Sequence, residues 1–152
     1  MAFFIGLVVI YLILTLIGFF AFKDKLSDSK FKGRVAASVM FILTGISHFT
    51  NTEAFLAITP DFIPATKEMI YLSGIFEILG AIGLQIPKFR KFSAWGLILL
   101  LLAVFPANIN AAVNGILTEV AFGIGTWYLW VRLLFQPVFI WWVWWSSLKK
   151  ES

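Results

Sequence analysis

The stretch that decides the fold class is AFFIGLVVIYLILTLIGFFAF, residues 2–22, which contains no charged side chain. A helix rises about 1.5 Å per residue, so this run spans roughly 30 Å, the thickness of a bilayer's hydrocarbon core. A cleaved signal peptide is the rival interpretation, but no basic segment precedes the run, and the run is too long for one. The stretch therefore predicts an uncleaved membrane-spanning helix.

The composition agrees with this prediction. The chain has 152 residues, of which 61% are hydrophobic and 13% charged, and its mean hydropathy is +0.93. Soluble domains are about 45–50% apolar and about 25% charged, so we expect an integral membrane protein whose main partner is the lipid bilayer. The absence of cysteine excludes disulfides, thiol redox chemistry, iron–sulfur ligation and Cys-based zinc sites. With a single histidine, no multi-histidine metal site is expected either.

Four further apolar segments follow, at about residues 35–51, 67–86, 92–112 and 124–147. The connections are KDKLSDSKFKGR (23–34), TEAFLAITPDFIPATKE (52–68), PKFRK (87–91) and a link containing Gly and Asn. Pro64 suits the first turn of the helix after the second loop. The sequence therefore predicts one all-α domain over residues 1–152, a polytopic membrane helix bundle with five transmembrane helices.

The basic residues predict the orientation of the bundle. Ten of the twelve Lys and Arg residues lie in segments 23–34 and 87–91 and at the C-terminus. Positive charge collects on the cytoplasmic side, so the N-terminus should lie outside and the C-terminus in the cytoplasm of a bacterial inner membrane. WWVWW (141–145) then anchors the last helix at the inner interface. This topology explains the net charge of +4 without nucleic acid as a partner.

Two charged residues lie deep inside predicted spans, Glu77 and Arg132. A charge at the bilayer centre costs about 2.5–3.5 kcal/mol on insertion scales, so such residues usually face the bundle interior and have partners. Glu77 shares a helix face with Ser73, Gly74, Gly80 and Ala81, and small residues mark close helix packing. We therefore expect Glu77 to face another helix and to pair with Arg132.

Arg132 lies on a helical stripe with Tyr128 and Gln136, which are four residues before and after it. Pro137 should free the carbonyl of Leu133 on this helix and can kink it.

The second and fourth spans contribute two more polar residues, His48 and Asn108. Pro106 should bend the fourth span and free the Leu102 carbonyl. Given the predicted directions of the helices, these polar groups fall at similar depth. We expect an outward-facing polar pocket, roofed by residues 52–66 and lined by His48, Glu77, Asn108, Tyr128, Arg132 and Gln136. A structural polar core is the alternative interpretation of the same residues.

The motifs GISHF (45–49), ITPDFIP (58–64), YLSGIFEILGAIGLQIP (71–87), VFPANIN (104–110) and WVRLLFQ (130–136) occur in this order along the chain. As a set they resemble the DoxX-like family of small bacterial membrane proteins over about residues 35–145. The resemblance implies a four-helix membrane core at 35–147, with an added N-terminal helix and basic loop at 1–34. It implies the polar positions His48, Glu77, Asn108, Arg132 and Gln136. The family pattern has a proline between the arginine and the glutamine, where this chain has LLF.

Relatives in that family are linked to quinone-coupled sulfur oxidation, oxidative-stress complexes and assembly of partner proteins. One expectation is a small redox-associated membrane protein that binds a quinone or another apolar ligand, with no cofactor in the chain itself. In that case electron transfer requires a partner. The alternative is a non-catalytic accessory or assembly subunit that binds another membrane protein and has a structural Glu–Arg core. A transporter is disfavoured, because the chain shows no inverted repeat.

Overall fold

The chain folds as a bundle of helices. The computed structural model describes residues 2–20, 28–63, 67–116 and 126–149, and within these ranges the regular structure is helical throughout. The helices are α1 (Ala2–Phe20), α2 (Ser29–Thr50), α3 (Thr52–Ile58), α4 (Lys67–Gln85), α5 (Arg90–Ala103), α6 (Phe105–Asn114) and α7 (Trp127–Ser147). The all-α fold class predicted from the sequence is confirmed.

Helix α2 lies at the centre of the bundle. It contacts α1, α3, α4 and α7, and its largest interface is with α4. Helix α5 packs between α4 and α7, and α6 continues along α7. The main core surrounds α2 and combines larger aliphatic side chains with alanines and phenylalanines, among them Ala36, Ala37, Phe41, Ala81 and Phe139. A smaller core lies between α3, α6 and α7.

Two glycines set the crossing of α2 and α4. A Cβ on Gly45 would lie 2.9 Å from the carbonyl oxygen of Gly74, and a Cβ on Gly74 would lie 2.7 Å from the carbonyl oxygen of Gly45. The two backbones are therefore in contact, as small residues permit in closely packed helices. This contact brings the residues that flank each glycine to the opposite helix.

The basic segment 23–34 differs from the predicted loop, because its second half is helical. Helix α2 begins at Ser29, and the carboxylate of Asp28 accepts a hydrogen bond of 2.7 Å from the backbone N–H of Lys30. The basic side chains are bonded to the end of α7: Arg34 donates to the carbonyl of Ser146 and Lys30 to that of Lys149. Cations are favourable beside such exposed carbonyls, so charge here does not mark a loop.

The predicted loop 52–68 also contains a helix, α3. The side chain of Thr52 donates to the carbonyl of His48 at 2.9 Å, and Asn110 of α6 donates to the carbonyl of Ile58 at 3.0 Å. An exposed ion pair of 2.6 Å joins Glu53 to Lys67 at the start of α4. Helix α3 is thereby held over the end of the bundle. The prediction for Pro64 lies outside the described residues.

The fourth predicted span, 92–112, is interrupted at Val104, so it consists of two consecutive helices. Helix α5 ends at Ala103, α6 begins at Phe105, and Val104 lies between them. Pro106 lies in the first turn of α6, where its missing N–H costs nothing. Helix α6 ends at Gly115, whose φ of 61° is the left-handed conformation that glycine adopts readily. Helix α7, by contrast, continues through Pro137.

Apolar length alone identifies two membrane-spanning candidates among the described residues, Lys67–Gln85 and Arg90–Val113. The apolar part of α1, Phe3–Phe19, is shorter than either of these two segments. Helices α2 and α7 carry basic and polar residues within their length, which lowers their hydropathy. The five-span topology therefore stays a prediction.

Candidate functional site

A cavity of about 260 Å³ lies inside the bundle, and all six polar residues singled out in the sequence line it. They are His48, Glu77, Asn108, Tyr128, Arg132 and Gln136. The rest of the wall is mostly apolar and includes Phe3, Phe41, Phe55, Ile58, Ile70, Leu101, Val104 and Phe139. An apolar wall with a few convergent polar groups is the usual composition of a small-molecule site. Whether these residues bind a ligand stays a prediction.

The polar groups form two separate clusters, and the first joins α2 to α4. Thr44 donates a hydrogen bond of 2.6 Å to Oε2 of Glu77, and Nε2 of His48 lies 3.6 Å from Oε1 of the same carboxylate. On its other side, Nδ1 of His48 lies 2.8 Å from the hydroxyl of Ser73. His48 and Glu77 are both buried, and their neighbours come into range because Gly45 and Gly74 let the two helices touch.

The hydrogen bonds around His48 fix where its proton lies. The Ser73 hydroxyl donates to the carbonyl of Ile70 at 2.7 Å, so its oxygen accepts from Nδ1 of His48. The same Ile70 carbonyl, which can only accept, lies 3.2 Å from Nδ1. Nδ1 is therefore assigned the hydrogen. Nε2 then faces the Glu77 carboxyl, 3.6 Å from Oε1.

The second cluster joins α5, α6 and α7 through a directed chain of hydrogen bonds. Nη2 of Arg132 donates to Oδ1 of Asn108, Nδ2 of Asn108 donates to Oε1 of Gln136 at 2.7 Å, and Nε2 of Gln136 donates to the carbonyl of Leu101. An arginine can only donate, so the orientation of both amides follows from it. Gln136 thereby binds the carbonyl of Leu101, near the end of α5.

The predicted direct ion pair between Glu77 and Arg132 is wrong. The ion pairs in the described part of the chain are Arg34–Asp28, His48–Glu77 and Lys67–Glu53, and none involves Arg132. The two residues line the same cavity, but each is held by its own cluster. The helix-face argument placed both residues in the interior and did not determine their contacts.

The third predicted polar group of α7, Tyr128, is buried one turn before Arg132. Its hydroxyl makes no hydrogen bond with another residue in ranges 2–20, 28–63, 67–116 and 126–149. It is a further polar group available at the Arg132 end of the cavity.

Helix α3 closes the cavity on the side of His48. The ring of Phe55 stacks on the imidazole with centroids 4.0 Å apart and planes inclined by 19°. Ala54, Ile58 and Thr59 add to this wall. The sequence predicted a roof over 52–66 but took the segment for a loop, so Phe55 was missed; residues 64–66 of that segment lie outside the described ranges.

Sequence reasoning also missed the role of Ser73 as the partner of His48. Ser73 was noted only as a small residue on the face of Glu77. A usable signal exists in the spacing: Thr44 lies four residues before His48, and Ser73 lies four residues before Glu77. Each helix therefore presents a hydroxyl one turn away from its ionisable residue.

The described residues contain no cluster of three or more His, Asp or Glu side chains suited to a metal ion. The fold and the cavity together define a helical bundle with an internal pocket that is apolar with two polar ends. Residues 37–147 match the family described as a domain of unknown function (DUF8561), and the chain belongs to this family. Comparisons with curated proteins and with solved structures give no match.

Proposed function

We propose that the protein is a membrane-embedded bundle that binds a small, largely apolar ligand in the cavity between α2, α4, α6 and α7. The observation that carries this proposal is the convergence of six polar side chains from these helices on one apolar cavity. Its volume of about 260 Å³ lies just below the usual range of ligand pockets, roughly 300–1,000 Å³. A compact ligand fits this space better than an extended one.

The membrane assignment is supported by the surface of the bundle. Large apolar side chains are exposed along the outer faces of α1, α4, α5 and α7, for example Leu16, Leu79, Leu99 and Leu134. A soluble monomer rarely exposes apolar patches larger than a few hundred Å², so lipid is the fitting surrounding. The proposal keeps five spans in a bacterial inner membrane, with the N-terminus outside and the C-terminus cytoplasmic. The DoxX-like resemblance is part of the same proposal.

Within this proposal a quinone is the first ligand to test. One carbonyl oxygen would accept hydrogen bonds from Arg132, and Glu77, beside His48, would exchange a proton with the other. The aromatic rings of Phe41, Phe55 and Phe139 would enclose the apolar part. The redox role would require a second membrane protein to supply or accept electrons.

The test begins with purification of the protein from native membranes into a mild detergent. Mass spectrometry of the solvent extract should recover a stoichiometric apolar molecule from the wild type and little from Arg132→Gln. Leu99→Ala, which changes an exposed residue of α5, is the matched control and should retain the ligand. An empty wild type whose melting temperature is insensitive to a short-chain ubiquinone analogue would refute the quinone.

A second function, that of an accessory or assembly subunit, is supported by the exposed indoles of α7. Trp127, Trp130, Trp141 and Trp144 lie on the outside of the bundle. They can anchor the helix at the membrane surface or contact another membrane protein. If the indoles contact another membrane protein, crosslinking in native membranes should yield one dominant partner. Loss of that crosslink in Trp130→Ala, with cavity variants unaffected, would separate the two functions.

A further inference from the structure

The guanidinium of Arg132 lines the cavity without a carboxylate of its own among the described residues. The acidic side chain among the described lining residues is Glu77, and it has other partners: Thr44 donates to its Oε2 at 2.6 Å, and Nε2 of His48 lies 3.6 Å from its Oε1. The ion pairs of the described residues do not include Arg132. The guanidinium therefore has no counter-ion beside it in the described part of the cavity.

The Arg132 end of the cavity offers donors and few acceptors. A guanidinium has five N–H donors, and among the described residues Arg132 uses one of them, in its bond to Asn108. The amide oxygens of Asn108 and Gln136 already accept bonds from Arg132 and Asn108. A cation that is partly removed from water is costly unless it is paired, so Arg132 calls for a negatively charged acceptor.

We propose that the cavity binds a monoanionic ligand, an apolar molecule with one carboxylate that pairs with Arg132. This inference rests on the proposed ligand-binding function and narrows the ligand class. A carboxylate can accept two parallel N–H bonds from a guanidinium, which a ketone oxygen cannot, and charge-assisted bonds are roughly twice as strong as neutral ones. The apolar body would lie between the phenylalanine rings, toward Phe55 and His48.

The test uses the wild-type protein in nanodiscs of phosphatidylcholine, which carry no net charge that competes for the site. Binding is measured by the shift in melting temperature and by calorimetry for 4-phenylbutyrate, its neutral amide 4-phenylbutanamide, a short-chain ubiquinone analogue and palmitate. The acid should bind at least tenfold more tightly than the amide. The two acids separate two sources of a carboxylate: palmitate represents a fatty acid from the membrane, and 4-phenylbutyrate represents a water-soluble acid. Tight binding of either acid supports the inference.

Three variants make the result specific to the charge. Arg132→Gln should remove the preference for the acid, while Arg132→Lys should retain part of it. Asn108→Asp places a carboxylate beside Arg132 and should abolish acid binding. Glu119→Gln tests the acid in segment 117–125, which lies outside the described residues. If Glu119 balances Arg132, the wild type binds acid and amide equally and the variant gains the preference, which overturns the inference.

The remaining outcomes distinguish a failure of the monoanion proposal from a failure of the proposal that the cavity binds a ligand at all. Equal binding of acid and amide, or binding of the quinone analogue without the acids, overturns the monoanion and leaves ligand binding intact. If none of the four molecules changes the melting temperature and the native extract contains no ligand, both proposals fail.

Discussion

Arg132 is bonded to an amide oxygen and not to a carboxylate, and this bond determines how the neighbouring amides are oriented. Its bond to Asn108 directs the side chain of Gln136, which in turn takes up a backbone carbonyl of α5. The chain ties three helices together and leaves most of the guanidinium's donors for other acceptors. Polar contacts of this kind contribute about 0.6 kcal/mol each on average in membrane proteins.

The first prediction concerns coupling within that chain. In a double-mutant cycle, Asn108→Ala and Gln136→Ala should be coupled by about 0.5–3 kcal/mol, because either change breaks the same series of bonds. The free energy of unfolding, measured in detergent micelles, gives the coupling. Asn108→Ala combined with Ser38→Ala is the control, since Ser38 bonds to Gln85 and the Ala81 carbonyl instead. Additive effects of the first pair would contradict the chain.

At the residue scale the sequence predicted the members of the site but not its contacts. Helix periodicity and the high cost of burying charge in lipid were enough to place Glu77 and Arg132 in the interior. Which partner each one meets depends on the rotation and crossing of neighbouring helices. The rotation and crossing are set by packing at positions such as Gly45 and Gly74. Knowing which helix face a residue occupies was therefore not enough to predict whether Glu77 contacts Arg132.

At the scale of elements, the contact of α2 with α4 positions the acid–base cluster. Thr44 and His48 flank Gly45, and Ser73 and Glu77 flank Gly74. If the two helices moved apart, Thr44 and His48 would be separated from Glu77, and Ser73 would be separated from His48.

The second prediction follows from this contact. Gly45→Ala should destabilise the protein by about 1–3 kcal/mol, because the added methyl group meets the backbone of α4. Gly96→Ala is the matched control: a Cβ there meets nothing within 4 Å, and alanine favours a helix over glycine by up to about 1 kcal/mol. Melting temperatures of the three proteins provide the measurement. A Gly45→Ala protein as stable as the wild type would show that the helices do not touch.

The misjudged elements have a common physical cause. Long apolar helices such as α4 are evident from hydropathy, and the predicted span 67–86 agrees closely with Lys67–Gln85. Helix α3 has seven residues and ends beside Pro60, so composition alone makes it look like a loop. The break at Val104 is hidden inside a continuous apolar run, where hydropathy does not change.

At the scale of the whole molecule, basic residues gather at one end of the bundle, the end that the proposed topology places in the cytoplasm. Helix α2 begins with three basic side chains, and three more lie between the end of α4 and the first turn of α5, at Lys88, Arg90 and Lys91. Both lie at the end of the bundle where α7 finishes. Arg34 bonds to the carbonyl of Ser146 in α7 and Lys30 to that of Lys149 just after it, and Gln85 at the end of α4 donates to Ser38 of α2.

The third prediction concerns this orientation. The chain has no native cysteine, so a single cysteine can be placed at Asp61, beyond α3, or at Ser147, at the end of α7. In intact cells a membrane-impermeant maleimide should label Asp61→Cys, and Ser147→Cys should react only after the membrane is opened. Labelling of both from the same side would contradict the five-span topology.

The most direct test of ligand binding is a density map of the protein purified from native membranes into nanodiscs. The account predicts non-protein density in the cavity, with a polar end within hydrogen-bond distance of Arg132 and an apolar body near Phe55. A cavity filled only by side chains of the protein, with Arg132 paired to one of its own carboxylates, would contradict it.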